Sequence, residues 1–164
     1  MIGAVLWENG FSLKEIGVAT MVLFAVIDIF GTIPVIIALK EKTGQIFPLR
    51  TAAVALFILI GFLFVGESIL GLIGVGINEF AVAGSFVLFF MALEMILGVD
   101  IFKDNGKTST KVASVVPLAF PMIAGAGTMT SLISLRAEFE LINILVAILI
   151  NLVVVWIVLK LTAT

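Results

Sequence analysis

Asp28-Ile29-Phe30-Gly31-Thr32-Ile33-Pro34 sets a carboxylate, a glycine and a proline inside one apolar run that extends from Ile16 to Leu39. A run of that length can cross a bilayer as a helix. In hydrocarbon an ionisable group must find a partner or a wet cavity, and proline removes a helical hydrogen bond and clashes with the preceding turn. Backbone groups freed at membrane depth are sustained only where protein or a water-filled cavity satisfies them. The stretch therefore reads as a spanning helix interrupted near mid-depth, its interruption turned toward something polar. Asp28 lies about 12 residues into that helix, roughly 18 Å deep in a ~30 Å hydrocarbon core.

A second stretch answers the first. Pro117-Leu118-Ala119-Phe120-Pro121-Met122-Ile123-Ala124-Gly125-Ala126-Gly127-Thr128 carries two prolines and two glycines near the centre of another long apolar segment. Interrupted segments at matching places in two halves of a chain point to a transporter-type site.

Composition agrees with a membrane protein. Of 164 residues 62% are hydrophobic and only 12% charged, against about half and about a quarter in soluble domains. That excess is too large for one buried core. The net charge of −2 gives no basic face for nucleic acid. With no Cys and no His, thiol chemistry, disulfides and the usual soft metal sites are excluded, and no cofactor is expected. No phosphate-binding loop is present. No Ser/His, Cys or metal constellation suggests an enzyme, and Asp28 lacks a mid-depth acid partner of the kind an aspartyl dyad needs. Residues 1–10 have no basic start before an apolar run and do not read as a cleavable signal peptide.

Taken in order, Trp7 and Phe11 are interfacial anchors. Helices are expected over about 13–39, 48–74, 79–98, 112–135 and 141–161. They are separated by the polar turn Lys40–Gly44, the tight hairpin Gly74–Asn78, an exposed loop over Asp100–Lys111 and the charged turn Arg136–Glu140. The fold class is all-α: a polytopic transmembrane protein of about five spanning helices in one domain, with a first repeat over about 13–98 and a shortened second repeat over about 112–161. With the N-terminus outside, Lys40, Lys42, Arg50, Lys103, Lys107, Lys111 and Lys160 fall inside, and only Lys14 and Arg136 outside. That bias is the one the positive-inside rule selects. It makes the chain a multi-pass protein of the cell (inner) membrane whose two halves form an inverted repeat, each with one broken helix.

At these residues the chain resembles the MarC family of integral membrane proteins, which includes small neutral amino acid transporters. The resemblance covers nearly the whole chain. It rests on Asp28–Pro34, on Gly74-Val75-Gly76-Ile77 leading into Ala83-Gly84, on Ala92-Leu93-Glu94-Met95, and on Pro117–Pro121 followed by Ala124–Thr128. Ile29 and Ala126 stand where the family usually has prolines, and losing both is expected to soften the kinks. The family has six spanning helices, three per repeat, against five here. The resemblance therefore implies either a shortened form or a homo-oligomer in which a second copy fills the gap.

The site residues expected are Asp28, Gly31, Thr32, Gly125, Gly127, Thr128 and Asn151. Thr32 and Thr128 can cap the half-helices that follow them, with Pro34 in the first turn of one. Both half-helix N-termini would then present free N–H groups to a carboxylate at the midplane. Asp28 would take an ammonium group or a proton. Each assignment has a plainer alternative. Asp28 as a hydrogen-bonded structural carboxylate is the weaker reading by about two to one, because mid-depth acids are expensive. Asn143, Ala147 and Asn151 share one face of the last helix, and for Asn151 interhelical bonding and site lining weigh equally. Gly61, Gly66 and Gly84 read as close-packing residues. Glu67 and Glu94 read as snorkelling acids, and Phe86, Phe89 and Phe90 as packing. The function so implied is a transporter of small solutes, small neutral amino acids by resemblance. A passive channel, or a structural membrane protein whose breaks only serve packing, are the alternatives. Uncoupled flux would mark the first and a dry centre the second.

Overall fold

The computed structural model describes residues 10–97 and 118–163. Trp7, the loop over residues 100–111, the start of the fourth expected helix and Pro117 lie outside the described residues. So do the side chains of Glu67 and Glu94 and the surroundings of Gly84. The described chain is all-helical: α1 (Leu13–Ile27), α2 (Ile33–Thr43), α3 (Pro48–Ile73), α4 (Ile77–Leu97), a wide turn at Leu118–Ile123, α5 (Ala126–Glu138) and α6 (Leu141–Ala163). Ser12 caps α1 by accepting the Glu15 N–H at 3.4 Å. Pro48 opens α3, where its missing N–H costs nothing. Gly74, at φ 77°, ends α3 in the left-handed conformation and leaves only Val75 and Gly76 before α4.

Two described helices are long and apolar enough to cross a membrane, over Pro48–Gly66 and Leu141–Thr162. The segment expected as one broken helix from 13 to 39 is two separate helices. With 15 residues α1 alone is roughly 22 Å long, short of the hydrocarbon thickness.

Hydrogen bonds fix the directions of the helices. The Ser12 N–H donates to Asn143 Oδ1 at the start of α6, and Asn151 Nδ2 donates to the Thr20 carbonyl about two turns further along both helices. So α1 and α6 run parallel. Lys40 Nζ reaches the Thr162 carbonyl, which carries α2 to the far end of α6. Helix α3 returns from that end, packing on α6, α5 and the wide turn, while α5 packs on α1 and α4. One end of the bundle gathers Lys40, Glu41, Arg50 and Lys160. The other gathers Lys14, Glu15, Glu79, Arg136, Glu138 and Glu140.

Lipid tails are as apolar as the helices, so close packing rather than dehydration holds the bundle in a membrane. Ala19 on α1, Ala55 on α3, Ala119 in the turn and Ala147 on α6 are all fully buried and let backbones approach. Leu23, Ile36, Leu59, Leu132, Ile144, Ile148 and Leu159 interlock around them. The outward surface is equally apolar, with Met21, Phe57 and Leu72 all exposed. Phe86, Phe89 and Phe90, expected as packing residues, also face outward from α4. A Cβ on Gly61 would meet nothing within 4 Å, so Gly61 is not the close-packing residue expected; on Gly66 it would press on the Phe62 ring of the same helix.

Candidate functional site

The first break is a left-handed stop. Asp28 ends α1 at φ 42°, ψ 53°, a conformation that Asp and Asn tolerate better than other side chains, and its N–H donates to the Phe24 carbonyl. Its Oδ1 accepts the Gly31 N–H at 3.2 Å, closing an Asx-type turn. A Cβ on Gly31 would collide with the same carboxylate. The interruption thus persists with isoleucine at position 29, and Ile29 is buried in the core. Asp28 itself lies exposed on the surface of the chain, and its second oxygen has no partner among the described residues.

Thr32 does not cap α2. Its backbone is already right-handed helical, at φ −84°, ψ −8°, so its hydroxyl points back and donates to the Ile29 carbonyl at 2.7 Å. The donors at the start of α2 are largely used. The Thr32 N–H bonds to the Asp28 carbonyl, the Ile33 N–H bonds to the Phe30 carbonyl, and Pro34 has no N–H. The expectation that this half-helix offers a row of free donors is corrected.

The second break is tighter. Phe120 is extended at φ −138°, ψ 131° inside the wide turn, the Phe120–Pro121 bond is cis, and the Ala124 N–H reaches back to the Ala119 carbonyl. Gly125 is the residue before α5, and a Cβ there would run into the Pro121 carbonyl oxygen, so the turn admits only glycine. Thr128 does not begin a half-helix either. The helix starts two residues earlier, at Ala126 in the place of the family's proline, and the Thr128 hydroxyl donates to the Ile123 carbonyl at 2.9 Å. The first main-chain bond of α5 runs from the Met129 N–H to the Gly125 carbonyl. The N–H groups of Ala126, Gly127 and Thr128 therefore precede any intrahelical acceptor.

The two breaks lie close together. A Cβ on Gly127 would come within 3.2 Å of Val26 Cγ1, two residues before Asp28. Because α5 ends beside the start of α6 and begins beside the end of α1, α5 runs antiparallel to α1, and the two breaks adjoin. Gly127, Ser131, Ser134 and Glu138 follow one another at spacings of four, three and four, one face of α5. Ser131, Ser134, Leu135 and Glu138 line a depression of about 250 Å³ against Val22 of α1. The 4-3-4 spacing alone sets that stripe on one helix face.

Asn151 stands apart from the breaks. Its amide nitrogen donates to the Thr20 carbonyl at 3.1 Å and to the Ala147 carbonyl at 2.9 Å, so it joins α6 to α1. Asn143 is a larger joint that the sequence showed only as a face. Its Oδ1 accepts the Ser12 N–H, and its Nδ2 donates to the Gly10 carbonyl and to Glu15 Oε2, which also accepts the Glu140 N–H.

Comparison with known proteins follows the same lines. A "UPF0056 membrane protein" of Buchnera aphidicola (from Schizaphis graminum) is 30% identical over 131 residues, covering 77% of this chain and 66% of that protein. A second protein of that name and source is 38% identical over 119 residues, 68% of this chain and 56% of that protein. The "UPF0056 inner membrane protein YhgN" of Escherichia coli is 26% identical over 131 residues, with 77% and 66% covered. The chain thus spans 56–66% of the length of these relatives. No solved structure matches it. The model of the family described as "MarC family integral membrane protein" matches residues 13–164, and the chain belongs to that family.

Proposed function

We propose that this MarC protein is a transporter of small zwitterionic solutes, most simply small neutral amino acids, and that the solute sits where the two breaks meet. The observation that carries the reading is the pairing of opposite charge preference at that place. The Asp28 carboxylate has one oxygen uncommitted among the described residues, and the first turn of α5 has N–H groups ahead of any intrahelical acceptor, at the positive end of a helix dipole. An ammonium group on Asp28 and a carboxylate on the α5 N-terminus describe an α-amino acid. Gly31 and Gly125 shape the two turns, Gly127 leaves room beside Val26, and Thr32 and Thr128 tie the turns to their own backbones. The depression along Ser131, Ser134 and Glu138 gives a polar approach to Gly127 from the acidic end of the bundle. Asn151 is assigned to packing.

In this reading the apolar segments cross the membrane five times as an inverted repeat, α1–α2 entering from outside and the segment ending in α5 returning from inside. The basic end, with Lys40, Arg50 and Lys160, is cytoplasmic. A second copy of the chain completes the assembly around the exposed Asp28 and Gly127. A thermal-shift comparison tests the site. Alanine, with both charges, should stabilise the purified protein, since a ligand that binds only the folded state raises its stability by mass action. Propionate and ethylamine, each with one charge, should stabilise far less. Equal effects of all three would remove the zwitterion site.

A further inference from the structure

We propose that the depression beside Arg50 seats an anionic phospholipid, its phosphate on the guanidinium and an acyl chain along Phe47, Leu49 and Ala53. This inference uses none of the residues assigned to the solute site and stands apart from the transport reading. The depression measures about 360 Å³ and is lined by Phe47, Leu49, Arg50 and Ala53. Three of those four are apolar, so its walls suit a hydrocarbon chain and its one polar feature is a cation. Arg50 lies at the third residue of α3, where the apolar span Pro48–Gly66 begins, which is the depth of head groups rather than of hydrocarbon. It is exposed and has no ion pair or side-chain hydrogen bond among the described residues. A guanidinium at the membrane surface beside an apolar trough matches the two parts of a lipid. Its planar fork takes phosphate oxygens in pairs.

The surroundings favour a lipid with net negative charge over a zwitterionic one. Lys40 and Lys160 share this end of the bundle, Lys40 bonded to the Thr162 carbonyl and Lys160 over the Trp156 ring at 5.1 Å. Their field reinforces that of Arg50, offset in part by Glu41 at the same end, while the carboxylates Glu15, Glu138 and Glu140 sit at the opposite end. A soluble anion would find the same charge but no use for the apolar wall, so the trough is what selects a lipid.

The test is native mass spectrometry of the full chain from micelles holding phosphatidylcholine and phosphatidylglycerol in equal amounts. The wild type should retain phosphatidylglycerol in about fivefold preference, the effect of one well-placed basic side chain at a charged lipid surface. Arg50→Gln should retain the two lipids equally. Ala53→Leu fills the trough while keeping the cation and should lower the amount of phosphatidylglycerol held. Lys14→Gln, at the other end, should leave the preference intact. The proposal is overturned if Arg50→Gln keeps the preference, or if Ala53→Leu holds as much phosphatidylglycerol as the wild type. It is also overturned if glycerol phosphate, the head group without chains, displaces the lipid at equal concentration.

Discussion

Replacing Asn143 by leucine keeps the branched shape of the side chain, at a somewhat larger volume, and removes every hydrogen bond it makes. Asn143 is fully buried at the start of α6 and satisfies three groups from the start of the chain: the Ser12 N–H at 3.1 Å, the Gly10 carbonyl at 3.0 Å and Glu15 Oε2 at 2.7 Å. Interhelical bonds in membranes contribute about 0.6 kcal/mol on average and up to about 1.7 kcal/mol, and a bond to a charged group about 1.5–3 kcal/mol. Gly10 is exposed and Glu15 partly so, which lets water replace some of the loss. The expected cost is about 2–3 kcal/mol for Asn143→Leu, taking two bonds near the membrane average and the carboxylate bond near the low end of its range. Asn143→Asp should cost more, because it deletes the Nδ2 donor and sets a second carboxylate against Glu15. The assay is equilibrium unfolding in dodecyl maltoside micelles titrated with dodecyl sulfate, followed by tryptophan fluorescence. A cost below about 0.5 kcal/mol for Asn143→Leu, under one average interhelical bond, would refute the view that this joint fixes α1 parallel to α6.

Other expectations follow from the same geometry. Gly125→Ala drives a Cβ into the Pro121 carbonyl oxygen and should destabilise by about 1–3 kcal/mol. Gly127→Ala meets only the Val26 methyl, at 3.2 Å, and should be milder by the same unfolding measurement. Asn151→Leu should lower stability by about 0.6–1.7 kcal/mol with alanine binding unchanged; a loss of binding at unchanged stability would return Asn151 to the solute site. A cysteine replacing Glu138 should react with an impermeant maleimide in intact cells, and one replacing Glu41 only after permeabilisation. The opposite pattern would invert the orientation.

Much of the helical layout was legible because glycine and proline punctuate it. Gly74 and Gly76 mark the α3–α4 turn to within a residue, and Pro48 marks the start of α3. The first break was legible as a place, since Asp28, Gly31 and Pro34 each disfavour a continuous helix, but its chemistry was not. Whether a threonine hydroxyl caps the helix ahead or bonds the carbonyl behind depends on its own ψ. Thr32 is right-handed and turns back, and Thr128 lies inside the first turn rather than before it. The prolines missing at 29 and 126 were expected to soften the kinks, yet the left-handed Asp28 and the close approach at Gly125 hold the interruptions in their absence. The joint at Asn143 needed a partner more than 125 residues away in Gly10, Ser12 and Glu15. A shared helix face shows which side chains look the same way but not what they meet.

Transport in this reading turns on Asp28 binding a zwitterion where the two breaks meet. Asp28→Asn isolates the charge, because asparagine tolerates the left-handed conformation at position 28 and its amide oxygen can still accept the Gly31 N–H. The measurement is uptake of labelled alanine into proteoliposomes holding equal amounts of correctly inserted protein. The wild type should take up alanine, and Asp28→Asn should lose uptake at unchanged unfolding stability; equal uptake by the two proteins, or none above empty liposomes for the wild type, would rule out a zwitterion site at Asp28.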